Sequence, residues 1–347
     1  MDNKITKKRL GEMLSYDWLK IIALCALFVI LFEILMSAFS VKLTVGQSFE
    51  IIVYPNVNST GTDNFKNTVL DKKVLSYDVL SFNTTNLDTT YYGELLSSVD
   101  DGAEGDLLIV DNLKTYYDKA ETLGASNMDG CIDKYSIYDF ESLIKDAKSY
   151  LLKFTNGKTF DEVKNLSFKE FLSEEKLETV FKERMKKDNR FRTKKDFEEG
   201  LTSEKARIKT LFTEVILFEN LFNEYKDSGL FIKYTKFTAS YHYAKAHKAM
   251  DEEYFLEKMN EEKELYYGLE LGFFENNSET NSSKNPITTY FKYVDGYFDN
   301  NTEKKDSNTA KDLAILVYNF KKEQPHLQFE VIPVINCLIR SVSTLLG

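Results

Sequence analysis

A long apolar stretch near the N-terminus constrains this chain more than any other feature. It runs from Ile21 to Phe39, IIALCALFVILFEILMSAF, and Glu33 is its only charged residue. A helix of about 20 apolar residues crosses a hydrocarbon core of about 30 Å, and it satisfies its own backbone groups there. The sequence therefore predicts one transmembrane helix over residues 19–40.

Basic residues lie almost entirely on the N-terminal side of this stretch. They are Lys4, Lys7, Lys8, Arg9 and Lys20 before it, and only Lys42 in the twenty residues after it. The positive-inside rule places residues 1–18 in the cytoplasm and residues 41–347 outside the cell. A cleavable signal peptide is the alternative, because Ala38-Phe39-Ser40 fits a small-x-small cleavage site. The length of the apolar run favours the anchor, since signal peptides have apolar regions of about 7–15 residues.

Glu33 is the one carboxylate within the predicted span. Membrane carboxylates are rare and usually face partners rather than lipid. One interpretation is that Glu33 contacts the helices of a polytopic membrane partner. The other is that a single helix tolerates a protonated acid at this depth.

The composition excludes several classes of function. The net charge of −10 and pI of about 5.1 argue against nucleic acid as a partner, because phosphate binding needs a cationic surface. Three cysteines form neither a disulfide framework nor a metal cluster. His242 and His247 are five residues apart, which places them on different faces of a helix, so no metal site is predicted.

No catalytic or cofactor motif is present. The sequence contains no GxSxG, HExxH, GxGxxG or Walker loop. The acidic turn Asp100–Asp106 contains carboxylates that suit Ca²⁺, but it lacks the spacing of an EF-hand, and a solvated turn is the preferred interpretation. We therefore predict no enzyme activity, no cofactor and no catalytic residue.

The first part of the outer region has the pattern of a βαβ unit. Strands are predicted within Val41–Val57 and over Lys73–Phe82, with a polar turn at Asn58–Asn64 between them. A short helix is predicted over Thr89–Val99, and Leu107–Val110 is a continuous apolar run of the kind buried in a parallel sheet.

The rest of the outer region is predicted as helices followed by further strands. Helical spacing and dense charge extend over residues 137–259, with an amphipathic helix at Leu211–Tyr225 and solvated helix faces over Lys176–Phe197. Glu264–Phe274 and Asp312–Phe320 are strand candidates. Gln324–Leu346 is predicted to be helical, with Pro325 in its first turn and a kink or restart at Pro333.

Tyrosines and phenylalanines crowd the last third of the chain. Tyr241, Tyr266 and Tyr267 are the members that we select as a candidate pocket wall, because aromatic faces with hydroxyl tips stack on sugars or hold peptides. Packing of the helical region is the alternative role for these rings.

The run from Tyr77 to Asp111 resembles bacterial extracellular solute-binding proteins of ABC importers. The resemblance rests on a strand, a short helix, the turn DDGAEG and the phrase GDLLIVD at Gly105–Asp111. Asp106 matches the aspartate of that family's Gly-x-Pro-Asp-Val phrase, and Gly105 stands at the position of its proline. Tyr16–Ile21, YDWLKI, is similar to the lead-in of a group of single-pass membrane-anchored proteins from low-GC bacteria.

This resemblance implies an α/β fold in which the transmembrane helix precedes a periplasmic-binding-protein-like, two-lobed domain with a large helical insertion. Ligands of such folds bind beyond the carboxyl ends of the strands, which selects Asn83, Asp88, Asp111 and Asn112 here. The expected function is a membrane-anchored extracellular module that binds a sugar or a peptide for a permease. The alternative is an interaction or assembly subunit of a membrane complex that binds no small ligand.

Overall fold

The computed structural model describes residues 7–39, 47–53, 57–86, 105–111, 137–191, 193–234, 265–276, 286–295, 305–311, 313–318 and 325–346. The chain divides into two compact units, Met1–Leu43 and Thr44–Gly347. Thr89–Val99, predicted as a helix, lies outside the described residues.

Within residues 7–39, the described part of the first unit, the chain forms one helix, α1 (Lys7–Phe39). Its segment Trp18–Ser37 has 20 residues with a mean hydropathy of 2.6, and none of its most apolar window is buried. The structure therefore confirms one N-terminal helix that is long and apolar enough to cross a membrane. The same helix meets the requirements of a single-pass anchor or of a signal sequence.

The second unit contains nine strands. They are β1 (Ser48–Val53), β2 (Ser81–Asn86), β3 (Leu107–Asp111), β4 (Ile137–Tyr138), β5 (Phe231–Tyr234), β6 (Leu265–Glu270), β7 (Val294–Asp295), β8 (Lys305–Asp306) and β9 (Leu313–Tyr318), all within the described residues. Seven of them form one mixed sheet in the order β2-β1-β3-β9-β6-β5, with β4 also paired to β9, and β7 and β8 form a separate ribbon. The α/β class predicted from the sequence is confirmed.

Strand direction divides the sheet into two parts. β1 is parallel to both β2 and β3, with Ser48 opposite Ser81 and Ile51 opposite Leu107. β9 runs antiparallel to β3, β4 and β6, and β5 is antiparallel to β6. A strand from near the end of the chain therefore joins the parallel part to the antiparallel part.

Helices and short helical turns pack on this sheet. The helices are α2 (Ser59–Asp71), α3 (Phe140–Leu151), α4 (Phe160–Val163), α5 (Phe168–Phe171), α6 (Glu174–Arg184), α7 (Lys194–Tyr225), α8 (Phe273–Asn276), α9 (Pro325–Gln328) and α10 (Val331–Val342). α7 buries Leu211, Val215, Phe218 and Phe222, which confirms the predicted amphipathic helix. α10 restarts at Val331, so Pro333 lies in the first turn, where its missing N–H costs no helical hydrogen bond.

The central strands supply the deepest core. Leu107 to Val110 of β3 are 0% exposed, and every residue of β9 is buried. Phe140 on α3 packs its ring edge-on against Phe231 of β5 at 5.4 Å and against Phe218 of α7 at 5.7 Å. The helices that follow β4 therefore share a core with the sheet.

Two local predictions are wrong. Asn58–Asn64 was predicted as a polar turn, but Asn58 caps α2 and the rest belongs to that helix, which buries Phe65 and Val69 one turn apart. Lys73–Phe82 was predicted as a strand, but regular pairing starts only at Ser81. The apparent alternation before it comes from Val74, Leu75 and Val79, which pack partly buried against the core from an irregular segment.

Candidate functional site

The carboxyl ends of the parallel strands define the first candidate site. The chain passes from β1 to β2 on one side of β1, and β3 lies on the other side. This reversal creates a topological switch point between β1 and β3, the position where open α/β sheets bind ligands. Val53, Asn86 and Asp111 are the last residues of β1, β2 and β3 at this edge.

The first turn of α2 approaches this edge and contacts the segment 286–295. The side chain of Asn58 accepts a hydrogen bond from the Gly61 amide at 3.0 Å, and the Asn58 amide donates to the Lys292 carbonyl at 2.9 Å. A Cβ atom at Gly61 would lie 2.4 Å from the Tyr290 carbonyl oxygen. The segment therefore packs directly on the helix.

Two acidic side chains near the end of β6, Glu270 and Glu275, accept hydrogen bonds from other groups of the chain. β6 runs in the same direction as β3, so its last residue, Glu270, lies at the same edge. The Glu275 carboxylate accepts hydrogen bonds from the Thr309 hydroxyl at 2.6 Å and from the Ala310 amide at 2.5 Å. The Gly272 amide donates to Glu270 at 3.2 Å. Both carboxylates therefore accept hydrogen bonds from neighbouring groups of the protein at this edge.

The structure separates the selected ligand residues that it describes. Asp111 ends β3 at the switch-point edge, whereas Asn83 lies inside β2, where its amide donates to the Ser48 hydroxyl at 3.1 Å. Tyr266 and Tyr267 lie in β6 and are 6% and 5% exposed. β2 and β6 are four strand positions apart, which corresponds to roughly 19 Å. Asn83 and the two tyrosines therefore do not form one pocket.

The two tyrosines pack within the fold. The Tyr266 ring lies edge-on to Phe222 at 5.1 Å, and its hydroxyl donates to Asp227 at 3.1 Å. Asp88, Asn112 and Tyr241 lie outside the described residues. Glu33 lies on α1 within the apolar segment and is exposed. The binding role proposed for each selected residue stays a prediction.

A second cluster of polar side chains lies at the opposite edge of the sheet, and sequence analysis missed it. Its centre is Glu204 of α7, which is 0% exposed. Arg184 donates to the two Glu204 oxygens at 2.9 and 2.6 Å, and Arg207 donates to the same oxygens at 2.8 and 3.0 Å. The Tyr77 hydroxyl also donates to Glu204, at 2.9 Å. We call these residues, with Asp78, Arg190, His326 and Glu330, the ion cluster.

Asp78 connects a second group of charges to this centre. Arg190 donates to Asp78 Oδ1 at 2.5 Å, and His326 Nε2 lies 3.1 Å from Oδ2. Arg207 Nη1 donates to the His326 carbonyl at 3.0 Å and lies 3.6 Å from the Glu330 carboxylate. The ion cluster thus joins the segment before β2, the helical region 174–225 and the start of the C-terminal helices.

The ion cluster has strongly perturbed proton affinities. Burial opposes the charge of Glu204, yet the guanidinium groups of Arg207 and Arg184 hold its pKa well below the usual range. Burial lowers the pKa of His326 to about 4, and the nearby Arg184 and Arg207 act in the same direction against the raising effect of Asp78. Burial raises the pKa of Glu330. His326 is therefore neutral at pH 7, while Asp78 and Glu204 are ionised.

The ion cluster joins segments that are distant in the sequence. The oxygens of Glu204 and Asp78 are occupied by protein donors, and the arginines serve as their counter-ions. The prediction of solvated helix faces over Lys176–Phe197 is wrong for Arg184 and Arg190, which are mostly buried. Their partners Tyr77 and Asp78 are more than 100 residues away in the sequence, so no local pattern predicts these contacts.

Metal ligation and similarity to known proteins add no further site. Within the part of the chain that the structure describes, no group of three or more His, Cys, Asp or Glu side chains is placed to hold a metal ion. Comparisons with protein-family models, with curated proteins and with solved structures found no match.

Proposed function

We propose that this chain is a membrane-anchored extracellular binding module, without enzyme activity, that holds a sugar or a peptide at the switch point between β1 and β3 and works with an ABC permease. The observation that carries this proposal is the parallel order β2-β1-β3. In open α/β sheets such a reversal leaves a crevice outside the carboxyl ends of the strands. The apolar helix α1 supports tethering of this module to a membrane.

Asp106, immediately before β3, has a structural role in the sheet that the proposal uses. Asp106, the residue that matches the family phrase, is 0% exposed. Its carboxylate accepts a hydrogen bond from the Glu50 amide at 2.9 Å, and its carbonyl accepts one from the Tyr318 amide at 3.0 Å. Asp106 therefore connects β1, β3 and β9 at the amino end of β3, the edge opposite the proposed crevice. A second lobe, facing this crevice, is the part of the proposal that the family resemblance alone supplies.

A ligand screen on the full chain in detergent tests this function. A ligand that binds only the native state raises the melting temperature, by an amount equivalent to about 2.7 kcal/mol at a concentration 100 times the Kd. We expect a sugar or an oligopeptide to give such a shift, and Asp111→Ala to abolish it. The matched control is Lys205→Ala, at an exposed position on α7. If no ligand of either class raises the melting temperature, the solute-binding function is rejected.

Protease treatment of intact cells tests the orientation separately. The proposal expects residues 41–347 to be digested under conditions that spare a cytoplasmic marker. If the C-terminal region survives while a known surface protein is degraded, the extracellular assignment is wrong. This result does not depend on the identity of the ligand.

A second candidate function is an interaction subunit of a membrane complex. Tyr266 and Tyr267 favour it, because rings packed in the core offer no stacking surface to a sugar. Here Glu33 would contact the helices of a membrane partner. A photo-crosslinking amino acid at position 37, one turn from Glu33, should then capture a polytopic membrane protein. Glu33→Leu should weaken that crosslink, whereas Leu31→Ala should not.

A further inference from the structure

Among the strands that the structure describes, β2 is one of the two at the ends of the sheet, and half of its backbone points away from β1. The N–H and C=O groups of Glu50 both face Asp106 on the β3 side, so the odd-numbered residues of β1 face β2. In the parallel register that sets Phe49 opposite Phe82, the odd-numbered residues of β2 then direct their backbone groups towards β1. The N–H and C=O groups of Phe82 and Thr84 therefore point outwards. Within the described ranges, no hydrogen bond from another strand reaches these groups.

The opposite outer strand, β5, has features that discourage pairing. It has four residues, a register shift between Ile232 and Lys233, and a lysine at that shift. Short length, bulges and lysine are the common means by which edge strands avoid contact with other chains. β2 has six residues, SFNTTN, with no charge, no proline and no register shift against β1. The two edges therefore differ in every protective feature.

From this contrast we infer that β2 pairs with β2 of a second copy of this chain, antiparallel and about a two-fold axis at Asn83. This register places Asn83 opposite Asn83 and Phe82 opposite Thr84, so the outward backbone groups of Phe82 and Thr84 find partners. The pairing joins the two seven-stranded sheets into one continuous sheet.

The chemistry of β2 favours a second copy over a foreign strand. A two-fold interface presents the same surface from both sides, so any charge on the strand would face its like. β2 carries none, although the whole chain has a net charge of −10. The Asn83 amide uses one donor on Ser48 and accepts from Ser81 at 3.2 Å. An amide has a further donor and a further lone pair, which are free to bond to the opposite Asn83.

The mass of the full chain in detergent micelles, after correction for detergent, tests this inference. The monomer has a mass of 40.2 kDa, and the wild-type chain should have twice that value. Asn83→Lys places two ammonium groups beside the axis and should halve the mass. Asn83→Thr, which is neutral and suits a strand, should keep the dimer. Circular dichroism spectra of both variants, matched to wild type, verify that β2 still folds.

Disulfide trapping gives a second measurement that does not depend on the stability of Asn83→Lys. Asn83 opposite Asn83 is a non-hydrogen-bonded pair, whose Cα atoms lie about 4.5 Å apart, within the range of a disulfide. In a chain with Cys25, Cys131 and Cys337 replaced by alanine, Asn83→Cys should form covalent dimers under mild oxidation. Thr179→Cys, exposed on α6, should form at least tenfold fewer.

Three results would overturn the inference. They are a monomeric wild-type chain, a dimer that Asn83→Lys leaves unchanged, and equal trapping at positions 83 and 179. An unchanged dimer would assign association to another surface, such as α1. None of these results bears on ligand binding or orientation, so the proposed function is tested independently.

Discussion

The guanidinium group of Arg184 and the carboxylate of Glu204 form a two-pronged ion pair, with N–O distances of 2.9 and 2.6 Å, in which Glu204 has no exposed surface. Arg207, on the same helix as Glu204, donates to the same carboxylate. A buried ion pair contributes little net stability relative to apolar side chains of the same volume. Removal of one partner is strongly destabilising, because it leaves the other charge buried without a counter-ion. Each member of the ion cluster is therefore a sensitive probe of the fold.

Removal of the charge at position 204 should destabilise the protein severely. Glu204→Gln keeps the volume of the side chain but leaves Arg184 and Arg207 without their shared counter-ion. We expect a loss of about 3–5 kcal/mol in the free energy of unfolding, measured by urea titration of the full chain in detergent. Lys205→Ala, which removes an exposed ion pair with Glu174, is the control and should cost less than about 1 kcal/mol. If the two variants lose the same free energy of unfolding, the buried ion pairs of Glu204 do not stabilise the fold as proposed.

Acidification should weaken the fold through His326. Its folded pKa is about 4 and its ordinary value is 6.5, so between these pH values the unfolded chain binds more protons than the folded one. The contribution of neutral His326 to the free energy of unfolding is complete above pH 6.5. As the pH falls to 4, this free energy decreases by about 3 kcal/mol. Ionised Asp78 affects stability in a lower pH range. Because its folded pKa is depressed, its stabilising contribution is lost only as the pH falls below its ordinary pKa of 3.8.

His326→Gln isolates this effect, because the amide of glutamine still donates to Asp78 and does not titrate. The variant should lose less stability than wild type between pH 6.5 and 4, as measured by thermal or urea unfolding. Lys205→Ala should keep the wild-type slope. A slope that His326→Gln leaves unchanged would show that another group controls this pH range.

Gly200 should not accept even one methyl group. A Cβ atom there would lie 2.4 Å from Cε1 of Phe191 and 2.8 Å from Cζ of Phe181. Both rings would have to move, at a cost of about 1–3 kcal/mol, which exceeds the gain of about 1 kcal/mol from replacing glycine within a helix. Gly200→Ala should therefore lower the melting temperature. Thr202→Ala, exposed on the same helix, should leave it unchanged or raise it slightly.

The cap of α2 should contribute measurably to stability. Asn58→Ala removes the side-chain acceptor of the Gly61 amide at the first turn of the helix. The expected loss is about 1 kcal/mol in the free energy of unfolding. Asn58→Asp, which retains an acceptor and suits the helix dipole, should restore most of it. If Asp is as damaging as Ala, the hydrogen bond does not account for the role of Asn58.

The elements whose signal is local can be predicted from the sequence. The apolar runs of β3 and β9 and the periodic stripe of α7 indicate burial within a few residues of sequence, and all three are present. α2 was missed because only Phe65 and Val69 give it an apolar face, while its first turn is made of residues common in turns. Asn58 has the same sequence signal as a turn residue and as a helix cap.

The candidate sites depended on contacts between distant residues. The prediction selected the switch-point edge and Asp111 from the order of strands, and β3 does end there. It did not foresee β9, which enters the sheet beside β3 from more than 200 residues later. The ion cluster was missed for the same reason, since Arg190 and Asp78 are 112 residues apart. The spacing of residues in the sequence shows which side chains are neighbours on one helix or strand. It seldom shows which side chains on two different elements are in contact.

The position of β9 has a consequence for synthesis of the protein. This strand begins at Leu313, yet it bonds to β3 on one side and to β6 and β4 on the other. Until the ribosome has delivered almost the whole polypeptide, β2-β1-β3 and β6-β5 remain separate ribbons with open edges, which are prone to aggregation. Premature termination or a nonsense mutation ahead of Leu313 would thus leave fragments that chaperones must hold or proteases remove.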